Sequence, residues 1–372
     1  MPTLPLYTPN PNVDASHRVV APGGYEAWHF DAESDCGEVR LVATFGEGNP
    51  FAADYLRRYL RYRRSPTRHP PPLPSECPWF HFAVYEKNRP SGRVATHGGS
   101  AAFAASAVRG EVGAGGNEFV RSQDGTLALN LRGCSVPAVP SDRHSASLVR
   151  VSAELSFRPT PPHAPCDFTV LARHAGGDEH RWIVADPVCE VSGTVTVSGA
   201  EGSGDGRNGR TIEFRGRGYH DHTYGTGPLL TAMRHGLRGR LISRDRVIAF
   251  YVAEPLHRHQ PVEVLLVEAD AAGVRKLVVG SAPTLRWHRT SGRVPYPAEV
   301  HVLGAGIDWK LSNPVVLESA GRFARLTYAS SGVADGGMAL CEAWAAPRLP
   351  WRLASRAVGP AAGRADGPSP QA

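Results

Sequence analysis

Short runs in which apolar and polar residues alternate, or in which β-branched residues crowd together, recur along most of the chain. They include 39–45, 79–85, 126–132, 148–157, 193–198, 246–252 and 262–268, with shorter runs at 276–279, 299–302 and 324–328. A two-residue period sends successive side chains to opposite faces, so each run predicts a strand. Forty glycines and 32 prolines punctuate these runs and supply turns. Helical spacing is scarce. The segment 52–62 sets Tyr55, Leu56, Tyr59 and Leu60 on one stripe and predicts a short helix.

Many short strands separated by turn residues predict an all-β fold of antiparallel barrels, since closure removes exposed strand edges. At 372 residues the chain is long for one core, and two barrel domains in tandem, 15–225 and 226–350, fit its length. The segment 357–372, rich in Ala, Gly and Pro, predicts a disordered tail. His69 to Pro74 predicts an extended surface connector, and Gly199 to Gly209 a flexible hairpin tip.

Composition removes several function classes. Hydrophobic residues make up 41% of the chain, yet no apolar run approaches the roughly 20 residues of a membrane-spanning helix. The start, Met1 to Asn10, has neither a basic head nor a sustained apolar stretch, so cytoplasmic residence is expected. The net charge of +6 is spread along the chain, which argues against nucleic acid as a partner. It is compatible with peripheral contact with an anionic membrane surface, and equally with an ordinary solvated exterior. The six cysteines stand singly, without a CxxC pair, and read as reduced thiols. No GxSxG, GxxxxGK[ST], HExxH or strand-linked GxGxxG pattern is present, so no cofactor and no metal are expected.

Candidate chemistry concentrates in 214–228, where Tyr219, His220, Asp221, His222, Thr223 and Tyr224 follow one another between glycines. In an extended segment Tyr219 and Asp221 face one way and His220 and His222 the other. The first pair suits an acid with its hydrogen-bond partner. The second suits half of a metal site, with His235, His257 and His259 as possible third ligands in no recognised spacing. A polar loop whose side chains cap backbone groups accounts for the same residues. His180 and Trp182 share a strand face, as do Glu26, Trp28 and Phe30 opposite Tyr25 and His29, and core packing explains both sets.

Three segments, Gly23-Gly-Tyr-Glu-Ala-Trp-His-Phe-Asp31, Pro50-Phe-Ala-Ala-Asp-Tyr-Leu56 and Gly218-Tyr-His-Asp-His-Thr-Tyr-Gly225, together resemble the carotenoid 1,2-hydratase (hydroxyneurosporene synthase) superfamily in order and spacing. The resemblance runs from about Gly23 to Trp344. It implies two lipocalin-like barrels with a substrate cavity in or between them, and a His-x-Trp and a Tyr-x-Asp pair that fall on His180, Trp182, Tyr219 and Asp221. Thr223 stands where the superfamily has asparagine, and His222 where a small residue is common. The implied reaction adds water to a terminal C=C of a carotenoid or related isoprenoid by acid catalysis through a carbocation. Asp221 would be the acid, Tyr219 its partner, Trp182 a cation–π face and His180 the group that handles water. Trp28, Tyr224 and His222 are the further substrate-binding candidates. The same groups suit a cofactor-free, pericyclase-like cyclase or isomerase of a terpenoid or polyene, and the fold suits a non-catalytic carrier of an apolar ligand.

Overall fold

The computed structural model describes residues 12–97, 103–135, 149–160, 165–170, 178–199, 209–242, 246–257, 259–270, 273–279, 283–288, 294–304, 307–320, 322–332 and 338–346. The expected hairpin tip and C-terminal tail lie largely or wholly outside these residues.

The fold is all-β, with two curled antiparallel sheets of lipocalin-like type. The first sheet is built from β1 (Tyr25–Ser34), β2 (Val39–Glu47), β3 (Pro78–Glu86), β4 (Arg89–His97), β5 (Phe103–Ala105), β6 (Glu111–Ala114), β7 (Asn117–Arg121), β8 (Leu127–Ser135), β9 (Val149–Pro159), β10 (Cys166–Thr169), β11 (His180–Gly199) and β12 (Arg210–Gly225). Its order is β4-β3-β2-β1-β12-β11-β9-β8-β7-β6-β5, with β10 on the first half of β11. Register shifts between Val184 and Cys189 bend β11, so its first half pairs with β10 and its second with β9. The curl brings Val94 of β4 against Gly133 of β8.

The second sheet holds β13 (Met233–Ile242), β14 (Arg246–Pro255), β15 (Glu263–Asp270), β16 (Gly273–Val279), β17 (Thr284–His288), β18 (Tyr296–Gly304), β19 (Ile307–Ala320), β20 (Phe323–Gly332) and β21 (Met338–Ala345). Its order is β16-β15-β14-β13-β21-β20-β19-β18-β17. Each sheet encloses its own core, around Phe30, Phe45, Phe119 and Phe157 in the first and Phe250, Trp309, Leu326 and Tyr328 in the second.

A third apolar cluster joins the outer faces of the two sheets through Tyr25, Leu56, Trp182, Tyr219, Tyr251 and Trp344. A smaller cluster packs Val42, Ala83 and Tyr85 against Leu317 and Leu340 of the second sheet, so β1, β2 and β3 are buried on both faces over most of their length, although their sequences alternate. A short helix, α1 (Ala53–Arg64), lies where the Tyr55, Leu56 and Tyr59 stripe predicts it. Asp54 in its first turn and Arg61, Arg63 and Arg64 in its last complement the helix dipole. The Tyr55 hydroxyl donates to the Gly24 carbonyl at 2.7 Å, tying two of the sequence signatures together.

The proline-rich connector is extended at Leu73 but is not confined to the surface. Pro72 and Pro74 are buried, because their carbonyls accept the amides of Gly23 and Gly48. Among the described residues no helix is long and apolar enough to cross a membrane.

Candidate active site

Two polar rows face each other between the sheets. In the first sheet the ladder register aligns Asp221, His29, Thr44 and His81 on four neighbouring strands. In the second it aligns Tyr251, Arg238, Glu342, Arg325 and Glu318 on five. Strand pairing fixes both rows, and the packing of outer face on outer face brings them into contact.

The contacts repeat along the seam. Arg238 donates to Asp221 at 2.8 Å and to Glu342 at 2.5 Å. Arg325 donates to Glu342 at 2.6 Å, to the Tyr85 hydroxyl at 3.0 Å and also to Glu318. His29 lies 3.7 Å from Glu342, and His81 lies 3.4 Å from Glu318. Burial alone would raise the Glu342 carboxyl, but His29, Arg238 and Arg325 outweigh it and hold that carboxyl far below the usual carboxylate range. Burial likewise opposes the Glu318 charge, and Arg325, His81 and Arg93 reverse it in the same way. For His81 burial wins over Glu318 and pushes the imidazole pKa down.

A cavity of about 490 Å³ opens beside this seam. Arg238, Glu342, Arg325, Glu318, His81 and Thr44 form its polar side. Its apolar walls come from Phe51, Trp79, Leu229, Tyr251, Phe323 and Trp344, and the start of α1 covers one part. Two of the indoles lie flat over glycines on neighbouring strands. A Cβ on Gly46 would stand 2.5 Å from the Trp79 ring, and one on Gly236 would stand 2.2 Å from that of Trp344. Glycine at these two positions lets the rings occupy the cavity wall.

The strand parity expected for 219–222 is present. Tyr219 and Asp221 face the second sheet, where Asp221 accepts hydrogen bonds from the Tyr219 hydroxyl at 2.8 Å, Trp182 Nε1 at 3.2 Å and Arg238. Three of the four expected catalytic residues therefore meet at one carboxyl. The fourth, His180, is buried one step along, with Nδ1 3.4 Å from the Tyr25 hydroxyl. None of the four is among the residues lining the cavity. Tyr219 and Asp221 border a void of about 10 Å³ behind Arg238. Asp221 thus acts as an acceptor that fixes Arg238 at the cavity wall.

The three expected substrate contacts, Trp28, His222 and Tyr224, do not line this cavity. Trp28 and His222 pair across β1 and β12 on the inner face of the first sheet, stacked at 4.6 Å. Tyr224 stacks on His17 at 3.9 Å. The two-residue period that aims Asp221 at the second sheet necessarily turns Trp28, His222 and Tyr224 away from it.

The His220 and His222 half-site also divides. His220 bonds Asp14 at 2.7 Å and the His29 carbonyl at 2.9 Å. Burial disfavours its imidazolium, but the Asp14 carboxylate more than compensates and raises its pKa. His222 instead meets Glu26 at 2.9 Å, and Glu26 also meets His17 at 3.0 Å. Among the described residues His17, Glu26 and His222 form the cluster with metal-like spacing, and His235, His257 and His259 take no part in it. Ser16 and the amide of His17 already donate to the Glu26 carboxylate at 2.8 Å, so it clasps the N-terminal segment.

The residues that sequence reasoning missed are His81, Arg93, Arg238, Arg325, Glu318 and Glu342. A usable signal existed for His81, which stands two residues after Trp79 and so on the same face. The arginines and glutamates sit on alternating strands whose polar face reads as solvent-exposed.

No protein-family model matches the chain. It is 33% identical over 245 residues to hydroxyneurosporene dehydrogenase of Chlorobaculum tepidum, a stretch covering 64% of this chain and 59% of the relative. The match supports the superfamily resemblance. The chain spans about three fifths of that relative's length. Among solved structures, a protein assigned as AttH from Nitrosomonas europaea aligns over 92% of this chain and 99% of its own, with a TM-score of 0.58 and 14% identity, which shows the shared fold. Kievitone hydratase from Nectria haematococca aligns over 92% of this chain and 94% of its own, with a TM-score of 0.48 and 13% identity.

Proposed function

We propose that this chain is an enzyme of hydratase type that adds water to a C=C bond of a carotenoid or related isoprenoid, held in the cavity between the two sheets. The observation that carries the reading is the cavity itself, where an aromatic wall suited to an apolar chain faces a row of buried, mutually fixed ionic groups. Charged groups preorganised in a water-poor pocket act on a substrate far more strongly than they would in water. The superfamily resemblance adds an isoprenoid as the substrate class, as does the carotenoid-pathway name of the relative.

Addition begins with proton transfer to one alkene carbon and ends when water captures the cation and loses its extra proton. The rings of Trp79 and Trp344 and the carboxylates of Glu318 and Glu342 border the space in which positive charge develops. Asp221, Tyr219 and Trp182 hold Arg238 in place as positioning residues, and His180 supports Tyr25, which lines the cavity.

The relative's name is that of a dehydrogenase, so the test must separate hydration from dehydrogenation. Purified protein is incubated with neurosporene in oxygen-18 water and the product mass is measured. Hydration adds one labelled oxygen and two hydrogens. Loss of two hydrogens without oxygen gain contradicts the reading, and an isomer of unchanged composition favours cyclase or isomerase chemistry.

A further inference from the structure

We infer that His81, oriented by Glu318, is the proton-transferring catalytic residue of the cavity. The inference rests on the hydratase reading given above.

His81 is 9% exposed and lines the cavity. Its Nε2 lies 3.4 Å from Glu318 Oε1. Neither ring nitrogen has a hydrogen-bond partner among the described residues, so the Glu318 contact is an electrostatic approach and both nitrogens are open to a ligand or water. A buried imidazole nitrogen left without a protein partner costs free energy unless a ligand or water completes it, which makes such an atom in a cavity wall a docking point. Trp79 Nε1, on the same face of β3, is also buried without a partner among the described residues, so a bound water or hydroxyl has a second donor beside it. Glu318 is in turn held by Arg325 and, at 3.3 Å, by Arg93, which gives the dyad a fixed geometry.

The other seam groups are less able to move a proton. Arg238 and Arg325 keep their protons, since their neighbouring carboxylates raise already high pKa values against the effect of burial. Glu342 is bound by both guanidiniums. Burial outweighs Glu318 and lowers the His81 pKa, which makes its imidazolium a stronger acid than an exposed one. The charged groups facing it are Glu318 from β19, Arg325 from β20 and Arg93 from β4.

One group then completes the cycle. The imidazolium gives its proton to an alkene carbon while the π pair forms the new C–H bond, leaving neutral imidazole and a tertiary cation. A water lone pair forms the C–O bond, and the resulting oxonium returns one proton to the imidazole. The net change is addition of H and OH, with His81 restored.

The test compares wild type, His81→Gln and Glu318→Gln with neurosporene, reading kcat, KM and the pH profile. His81→Gln should lower kcat by on the order of 10²- to 10⁴-fold, with KM held within about threefold. Glu318→Gln should retain part of kcat and move the pH optimum. His81→Gln turnover equal to wild type overturns the assignment while leaving the hydratase reading intact. Wild-type protein that hydrates neither neurosporene nor geraniol overturns that reading, and the His81 role falls with it. Circular dichroism and cavity binding of neurosporene, followed by tryptophan quenching, establish that the variants are folded; a His81→Gln protein that is folded and binds but is inactive is the expected result.

Discussion

Arg238 of the second sheet donates to Asp221 of the first across 2.8 Å, and the same guanidinium reaches Glu342 on its own sheet. One side chain therefore couples the sheet interface to the cavity wall. Both partners are deeply buried, and breaking such a pair from one side leaves a charge uncompensated.

Asp221→Asn should destabilise the fold by ~3–5 kcal/mol. The double change Asp221→Leu with Arg238→Leu should recover part of that loss, because the Asp221–Arg238 charges go together while Tyr219 and Trp182 lose their acceptor and Glu342 keeps only the Arg325 guanidinium. Urea denaturation of the three proteins reads both values. A single variant as stable as wild type contradicts the seam as described.

Acid should weaken the interface. Glu318 and Glu342 are held well below their ordinary pKa of 4.5 in the folded chain. Their contribution is thus fully present above that value and is lost as pH falls from there towards the folded-state pKa. Stability measured from pH 7 down to acid conditions should drop, and Glu318→Gln or Glu342→Gln should be less stable at neutral pH with a flatter acid slope. An unchanged slope in both variants contradicts this assignment.

Glu26 offers a local version of the same effect. Burial opposes its charge, but His17 and His222 lower its pKa to about 2. The clasp on residues 16 and 17 should hold above the ordinary value of 4.5 and loosen as pH falls towards 2. Glu26→Gln should raise amide exchange at His17 at neutral pH while leaving the strands of the second sheet protected. Equal exchange in both proteins shows that other contacts hold the segment.

Gly46→Ala should displace the Trp79 ring, since its Cβ would stand 2.5 Å from Nε1. The expected outcome is weaker neurosporene quenching and a raised KM, with a smaller effect on stability than on binding. Unchanged binding removes Trp79 from the substrate wall.

The sequence made the strands, the helix at 53–64 and the two-faced segment 219–222 legible, because each depends on a local period. It did not reveal what each face meets. The β13 run Met-Arg-His-Gly-Leu-Arg-Gly-Arg-Leu-Ile alternates as a solvent-facing strand does, and nothing local marks Arg238 and Arg240 as buried. The same holds for Arg325 and Glu342, whose partners lie on other strands and whose burial depends on how two sheets pack. Trp28 is ambiguous in the sequence because aromatic residues serve both cores and cavities, and the face it takes is fixed only once the sheet has curled.

The central claim is that water adds to an isoprenoid double bond in the cavity between the sheets. Incubation of the full chain with neurosporene in oxygen-18 water, followed by mass spectrometry, tests it most directly. The account predicts one labelled oxygen per product molecule, and a product that lacks labelled oxygen, or no product at all, contradicts it.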